Sequence, residues 1–473
     1  MRPQSRRSKA DAQAFAAREW GSDPLDVVPV TTRRLLTAWL GLALGSLVIA
    51  GVFAILVAFT RMPAVRLLSS ANLFHLALVS HVTFALTVWF AAFAGLLWVY
   101  AAWRCNYRLN TGASWTGWSL AAAGSAAMAV PAITASGTPY LNDYIPVIDA
   151  PLFWGGLAAT FAGVTLQALA YLGAWLGARR PIGWVEPLEA AATAVAAVAM
   201  VLAFATLVVA GLRLDPAQPY ALRLRALVWG GGHIYQFVHT AGMVAVWSIA
   251  AAVAVGAPLG RTRARGALWM FLPFMLAAAA AYLVWRPEDL LTNRVITWAT
   301  FAGLGLPTLP LGVLVAGAIA RSRRPLPWGS PLFSGTALCG ALFAVGGVMG
   351  VIGFNQDTRV PAHYHGMVGA VTLAYMGLTP ALLELTGRRP FAPRLTKIQP
   401  YLYGLGLLGI MIGLHWAGGH GAPRKTFGFT WADAQALIAM NLMGIGSALA
   451  IAGGLAFVVN IGLPLVGRRR RSA

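Results

Sequence analysis

The stretch Val360-Pro361-Ala362-His363-Tyr364-His365-Gly366-Met367 opens an apolar run that reaches Glu384. Two residues two apart on an α-helix point roughly 200° away from each other, so one helix can offer an imidazole to each of two partners. That suits a helix lying between two hemes. A pair of histidines at a wet helix end is the plainer reading of the same residues, and the rest of the chain has to choose between them.

Of the 473 residues, 58% are hydrophobic and only 10% charged, a composition that excludes a set of soluble domains and fits one polytopic membrane domain. Apolar runs of about twenty or more residues, the length that crosses a hydrocarbon core, occur at 34–60, 74–103, 115–136, 151–178, 185–211, 226–256, 266–286, 292–320, 331–354, 361–385, 396–419 and 432–465. They predict an all-α polytopic membrane protein of twelve transmembrane helices. Pro131, Pro307 and Pro310 fall inside these runs, where neighbouring helices can satisfy the freed backbone groups. The expected organisation is a cytoplasmic tail over 1–33, the membrane domain over 34–465 and a basic cytoplasmic tail over 466–473.

The net charge of +21 does not imply a nucleic-acid partner, because the basic residues form short clusters between the apolar runs, as membrane topology requires. With the amino terminus inside, most of the 35 Lys and Arg residues fall on the inner side, which predicts both termini in the cytoplasm and an inner, bacterial-type membrane. The first thirty residues mix acidic and basic side chains without a small-residue cleavage site, and read as a tail rather than a removed signal. Cys105 and Cys339 are the only cysteines, too few and too far apart in depth for a disulfide framework or a cysteine metal site.

In this topology all eight histidines, His75, His81, His233, His239, His363, His365, His415 and His420, lie in the outer half of the membrane. Ionisable groups inside a membrane are costly enough to mark function by default. Heme iron is held by imidazole; two axial histidines give an electron-transfer heme, whereas one leaves a position for a gas. His81, His233, His363 and His365, on three separate helices, fit one heme of each kind.

With these residues in place, the chain resembles the catalytic subunit I of the heme-copper oxidase superfamily, which includes cytochrome oxidases and nitric oxide reductases, over nearly its whole length. The resemblance implies that His365 and His81 ligate a low-spin heme, that His363 is the proximal ligand of a high-spin heme, and that His233 is the first ligand of a second metal facing it. Arg424 and Lys425, which follow His415-Trp416-Ala417-Gly418-Gly419-His420-Gly421-Ala422-Pro423, resemble the basic pair that holds heme propionates; cations facing carboxylates there are physically sensible in any case.

The departure lies in the seventh helix. The family has two adjacent histidines at its outer end, whereas this chain reads Tyr282-Leu283-Val284-Trp285-Arg286-Pro287-Glu288-Asp289. Glu288 and Asp289 stand where the pair is expected, and Tyr282 stands at the spacing of a tyrosine that precedes it in one branch. One imidazole with carboxylates is a harder ligand set than three imidazoles, so iron suits it better than copper. The alternative is that Glu288 and Asp289 only cap a helix end beside Arg286 and Arg294. His75, His239, His415 and His420 read as hydrogen-bonded interface residues. The outer loop from Pro139 to Asp149 has acids and no basic residue, and reads either as solvated or as a landing site for the lysines of an electron donor. Inner polar residues for proton entry are few: Glu189, Glu384, Thr297, Thr300 and Thr308.

The expected function is a respiratory subunit I in the lipid bilayer that takes electrons from a donor subunit or cytochrome c at the outer face. It passes them through a low-spin heme to a high-spin heme that reduces O2 to water, with His233, Tyr282 and Glu288 at the reaction site. A nitric oxide reductase with non-heme iron, and a heme-binding relay or sensor lacking the second metal, are the alternatives.

Overall fold

The structure, a computed structural model, describes residues 28–61, 70–179, 186–256, 259–323, 325–352, 357–427 and 433–467. The tails expected over 1–33 and 466–473 lie almost wholly outside the described residues.

Among the described residues twelve helical spans make up the fold, as the apolar runs predict. The first is α1 (Val30–Arg61). In the second, α2 (Ala71–Val82) passes through a π-helical turn (Thr83–Val88) into α3 (Trp89–Arg104). Then come α4 (Thr111–Thr134), α5 (Pro151–Leu176), α6 (Leu188–Arg213) and α7 (Tyr220–Ala250), which ends in a second π-helical turn (Ala251–Val255). The seventh span is broken into α8 (Arg261–Trp269) and α9 (Phe271–Val284), and α10 (Leu290–Ala320), α11 (Pro331–Val351), α12 (Arg359–Leu385), α13 (Pro393–Gly419) and α14 (Ala434–Val466) complete the set.

Among the described residues eleven spans are long and apolar enough to cross a membrane. The remaining one, α4, carries Ser114, Thr116, Ser119 and Ser125, which lower its apolar character. It is held instead by close approach to α5: a Cβ added to Gly117 would stand 2.7 Å from the Gly163 carbonyl, and one added to Gly156 would stand 2.6 Å from that of Gly124. Small residues let membrane helices meet at backbone distance where apolar burial alone supplies no drive.

The sequence reading did not anticipate a hairpin between α4 and α5. Strand β1 (Thr138–Tyr140) pairs antiparallel with β2 (Val147–Asp149), Thr138 opposite Asp149. Gly137 leads into it at φ +99°. The hairpin folds the intervening residues, Leu141 to Pro146, back over the helix ends.

The histidine-bearing spans occupy the centre. The most apolar windows of Ala71–Arg104, Tyr220–Val255 and Arg359–Leu385 are 83%, 83% and 78% buried by protein, against 28% for the first and last spans. Polar side chains on the three inner spans therefore face protein rather than lipid, the one setting in which a membrane helix tolerates them.

Candidate heme site

His81, near the end of α2, donates its Nδ1 hydrogen to the Ala50 carbonyl of α1, 3.0 Å away. His365 donates Nδ1 to Pro361 in the first turn of its own helix at 2.6 Å, and His363 reaches across to Gly346 of α11 at 2.7 Å. His233 donates to Trp229, one turn earlier on α7, at 2.7 Å. A carbonyl oxygen only accepts, so all four rings must carry hydrogen on Nδ1, and a neutral imidazole then keeps its lone pair on Nε2. A backbone acceptor on one nitrogen fixes the tautomer and aims the other at a metal. His81 stands near enough to His365 for the two rings to interact electrostatically.

The donor set fits hemes. Nε2 of His233 is buried and has no hydrogen-bond partner, an arrangement that costs about 1–3 kcal/mol unless something occupies it. Beside His363, a Cβ added to Gly350 would stand 2.4 Å from the ring, so only glycine leaves that imidazole its place. The ring of Tyr364 stacks on His365 with centroids 5.5 Å apart.

The loop inside the hairpin, partly exposed as the sequence reading expected, also reaches His233. Tyr144 adopts φ +69°, a left-handed conformation that non-glycine residues rarely take. Its ring lies 4.1 Å, centroid to centroid, from that of His233. Burial pushes the Tyr144 phenol up to about 12, so it stays protonated.

Asp143 receives Arg424 at 3.0 Å and Lys425 at 2.7 Å, and Lys425 also donates to the Leu141 carbonyl at 2.6 Å. Burial would raise the Asp143 carboxyl, but Lys425, Arg424 and Arg225 together outweigh it and hold it below the usual carboxylate range. Burial lowers Lys425 in spite of Asp143, so the pair's gain is partly offset. Asp149, the other acid of this loop, accepts from Tyr220 at 2.8 Å and Trp154 at 3.1 Å. Both carboxylates are thus engaged within the chain.

The start of α12 is anchored to the same region. Thr358 donates its amide to Ala422 at 3.0 Å, and Asp357 pairs with Arg359 at 2.7 Å. The cations Arg424 and Lys425 therefore sit over the end of the helix that bears His363 and His365.

The expected second metal set does not assemble. Glu288 accepts the Asp215 amide at 2.7 Å and Asp289 accepts the Arg286 amide at 3.0 Å, while Arg286 pairs with Asp215 at 3.0 Å. Both carboxylates close the loop between α9 and α10 onto the end of α6. Among the described residues no group of three His, Cys, Asp or Glu side chains could hold a metal ion. The sequence spacing put the carboxylates at the right helix end, but their direction follows the nearest unpaired amides. Asp289 does precede α10 as its N-cap residue, although its side chain turns back to Arg286.

Tyr282 is fully buried, and its hydroxyl is already committed. It accepts from the Gly230 amide at 3.0 Å and donates to the Ala226 carbonyl at 2.8 Å. An uninterrupted α-helix would join those two groups to each other, so the phenol is inserted into the backbone of α7 one turn before His233.

Of the four histidines read as hydrogen-bonded interface residues, His420 pairs with Asp433 at 2.9 Å and His75 packs beside Phe74. His239 and His415 depart from that reading, since Nδ1 of each is buried without a partner. At the other end of the bundle, a polar cluster missed in the sequence gathers on Glu186, which accepts from Tyr107 and Trp175 and pairs with Arg265 at 3.7 Å. Thr300 and Thr308 are buried with unpartnered hydroxyls, and Thr297 bonds its own helix at Asn293.

The model of the family described as cytochrome c and quinol oxidase polypeptide I matches residues 34–450, most of the chain. The chain belongs to that family. It is 27% identical over 367 residues to an uncharacterised protein of Aquifex aeolicus, covering 77% of this chain and 88% of that one. It is 26% identical over 449 residues to cytochrome c oxidase subunit 1 of Thermus thermophilus, covering 86% and 79%. Among solved structures it resembles a heme-copper terminal oxidase dimer determined by cryo-EM, with a TM-score of 0.78, 18% identity, and 93% of this chain and 85% of that chain covered. That likeness shows the twelve-helix oxidase fold, and the family implies an oxidoreductase integral to a membrane.

Proposed function

We propose that this oxidase-family chain passes electrons, entering at its outer face, through a low-spin heme on His81 and His365 to a high-spin heme on His363, where O2 is reduced. The observation that carries the reading is the common setting of His81, His233, His363 and His365: four imidazoles on the three most enclosed spans, each with Nδ1 spent on a backbone carbonyl. Bound heme would supply a one-electron carrier and an iron able to take a gas.

The chain's own residues do the rest. The carbonyls of Ala50, Pro361 and Gly346 orient the ligand rings. Arg424 and Lys425 balance negative charge at the outer end of α12, where carboxylates of a cofactor would compete with Asp143 for them. Tyr144 lies over His233, limits water around it and keeps its proton at neutral pH.

A second reading, an electron relay that does not reduce a gas, is favoured by Glu288 and Asp289 accepting backbone amides of Asp215 and Arg286. The nitric oxide reductase alternative needs those carboxylates at a metal and loses support for the same reason. Spectra of single variants separate the heme assignments: His81→Ala should remove the six-coordinate signal and keep the carbon monoxide-binding one, and His363→Ala should do the reverse. Identical spectra from the two variants contradict the assignment.

A further inference from the structure

Between α2 and α3 the backbone widens into a π-helical turn, Thr83–Val88, where the Trp89 amide reaches back five residues to Phe84. One extra residue in a turn rotates everything beyond it by roughly 100° relative to what precedes it. This turn therefore sets the direction of His81, two residues before it, relative to the buried body of α3. Such turns leave carbonyls without an ordinary helical partner, and in a membrane those groups must be satisfied by protein.

The partner comes from α7. The Tyr235 hydroxyl donates to the Thr87 carbonyl at 2.8 Å, with Leu86 farther off at 3.5 Å. Tyr282 makes a comparable contact with the backbone of α7, at Ala226 and Gly230, so a buried phenol braces helix backbone at both places. At the other end of the turn, the Thr83 hydroxyl donates to Pro146 at 3.2 Å, in the loop that brings Tyr144 onto His233.

We propose that Tyr235 is a positioning residue for His81: its hydroxyl holds the π turn open and so fixes the rotation at which the His81 ring meets His365. The strut runs from the helix of His233 to the helix of His81 and touches neither ring. This inference rests on the heme reading for its spectroscopic consequence, but its structural consequence can be measured without hemes.

The test is Tyr235→Phe in the full-length protein, studied by hydrogen exchange and by heme spectroscopy. Amides between Thr83 and Ala91 should exchange about tenfold faster, the scale of one lost buried hydrogen bond. The six-coordinate heme should convert partly to a five-coordinate form or change its reduction potential, while the carbon monoxide-binding heme is unchanged. Replacing Tyr235 with 4-aminophenylalanine, which keeps an N–H donor at the same place, should restore both. Unchanged exchange in Tyr235→Phe overturns the strut. Faster exchange with an unchanged low-spin spectrum and potential overturns the positioning role, because the hydroxyl would then only stabilise the helix. A wild-type protein without a six-coordinate heme refutes the heme reading instead, and the exchange result still decides the strut. Should Tyr235→Phe fail to accumulate, the 4-aminophenylalanine protein decides alone: wild-type exchange and spectrum support the proposal, and loss of either overturns it.

Discussion

His81, His233, His363 and His365 stood out in the sequence because histidine inside a membrane is costly, and the structure gives all four the same Nδ1 bond to a backbone carbonyl. Tyr144 and Asp143 were not legible. Their contacts join positions far apart in sequence, such as Asp143 with Arg424 and Lys425, and nothing local announces a tyrosine at φ +69°. The Asp143 clamp carries a pH dependence. Its carboxyl is held low, so its stabilisation is complete above the ordinary carboxylate range, near pH 4, and is lost as the pH falls through the lower value of the folded state. With Asp143 about a third exposed, solvent screening leaves about 1 kcal/mol for the clamp. Asp143→Asn should lose that much at neutral pH, and thermal melts of variant and wild type should converge in acid; a constant gap would contradict it. Glu288 and Asp289 were misplaced for a different reason: sequence gives a side chain's position but not which of several nearby donors it will satisfy. Glu288→Gln should leave metal content per chain unchanged and lower stability slightly, and loss of a metal in elemental analysis would restore Glu288 as a ligand.

At the scale of elements, span number and approximate bounds followed from the length of the apolar runs, since about twenty residues must be apolar to cross the bilayer. The π turns and the break at Met270 did not, because one inserted residue barely alters the composition of a window. The hairpin of β1 and β2 was hidden because three-residue strands leave too little alternation to detect. The insertion of Tyr282 into α7 explains one glycine: a Cβ on Gly230 would stand 2.0 Å from the Tyr282 ring. Gly230→Ala should therefore destabilise by about 1–3 kcal/mol, the cost of overpacking. In a Tyr282→Leu background the same substitution should cost much less, because the clashing ring is gone. Equal costs in both backgrounds, measured by denaturation in detergent, would separate Gly230 from Tyr282.

For the whole molecule, the sequence indicated a twelve-helix heme-copper oxidase subunit, and the family match over residues 34–450 supports it. The interior order is consistent with that assignment: the three spans that bear His81, His233, His363 and His365 are the most enclosed, and Asp143, Tyr144, Arg424 and Lys425 lie in loops at one end of them. A feature of the seventh span is that the loop at its end is tied to the end of α6 through Glu288, Arg286 and Asp215. The account stands on two hemes held by three histidines, and heme counting with a carbon monoxide difference spectrum on the purified wild-type protein tests it most directly. The predicted result is two hemes per chain, one binding carbon monoxide and one not; a single heme, or two that both bind carbon monoxide, would contradict it.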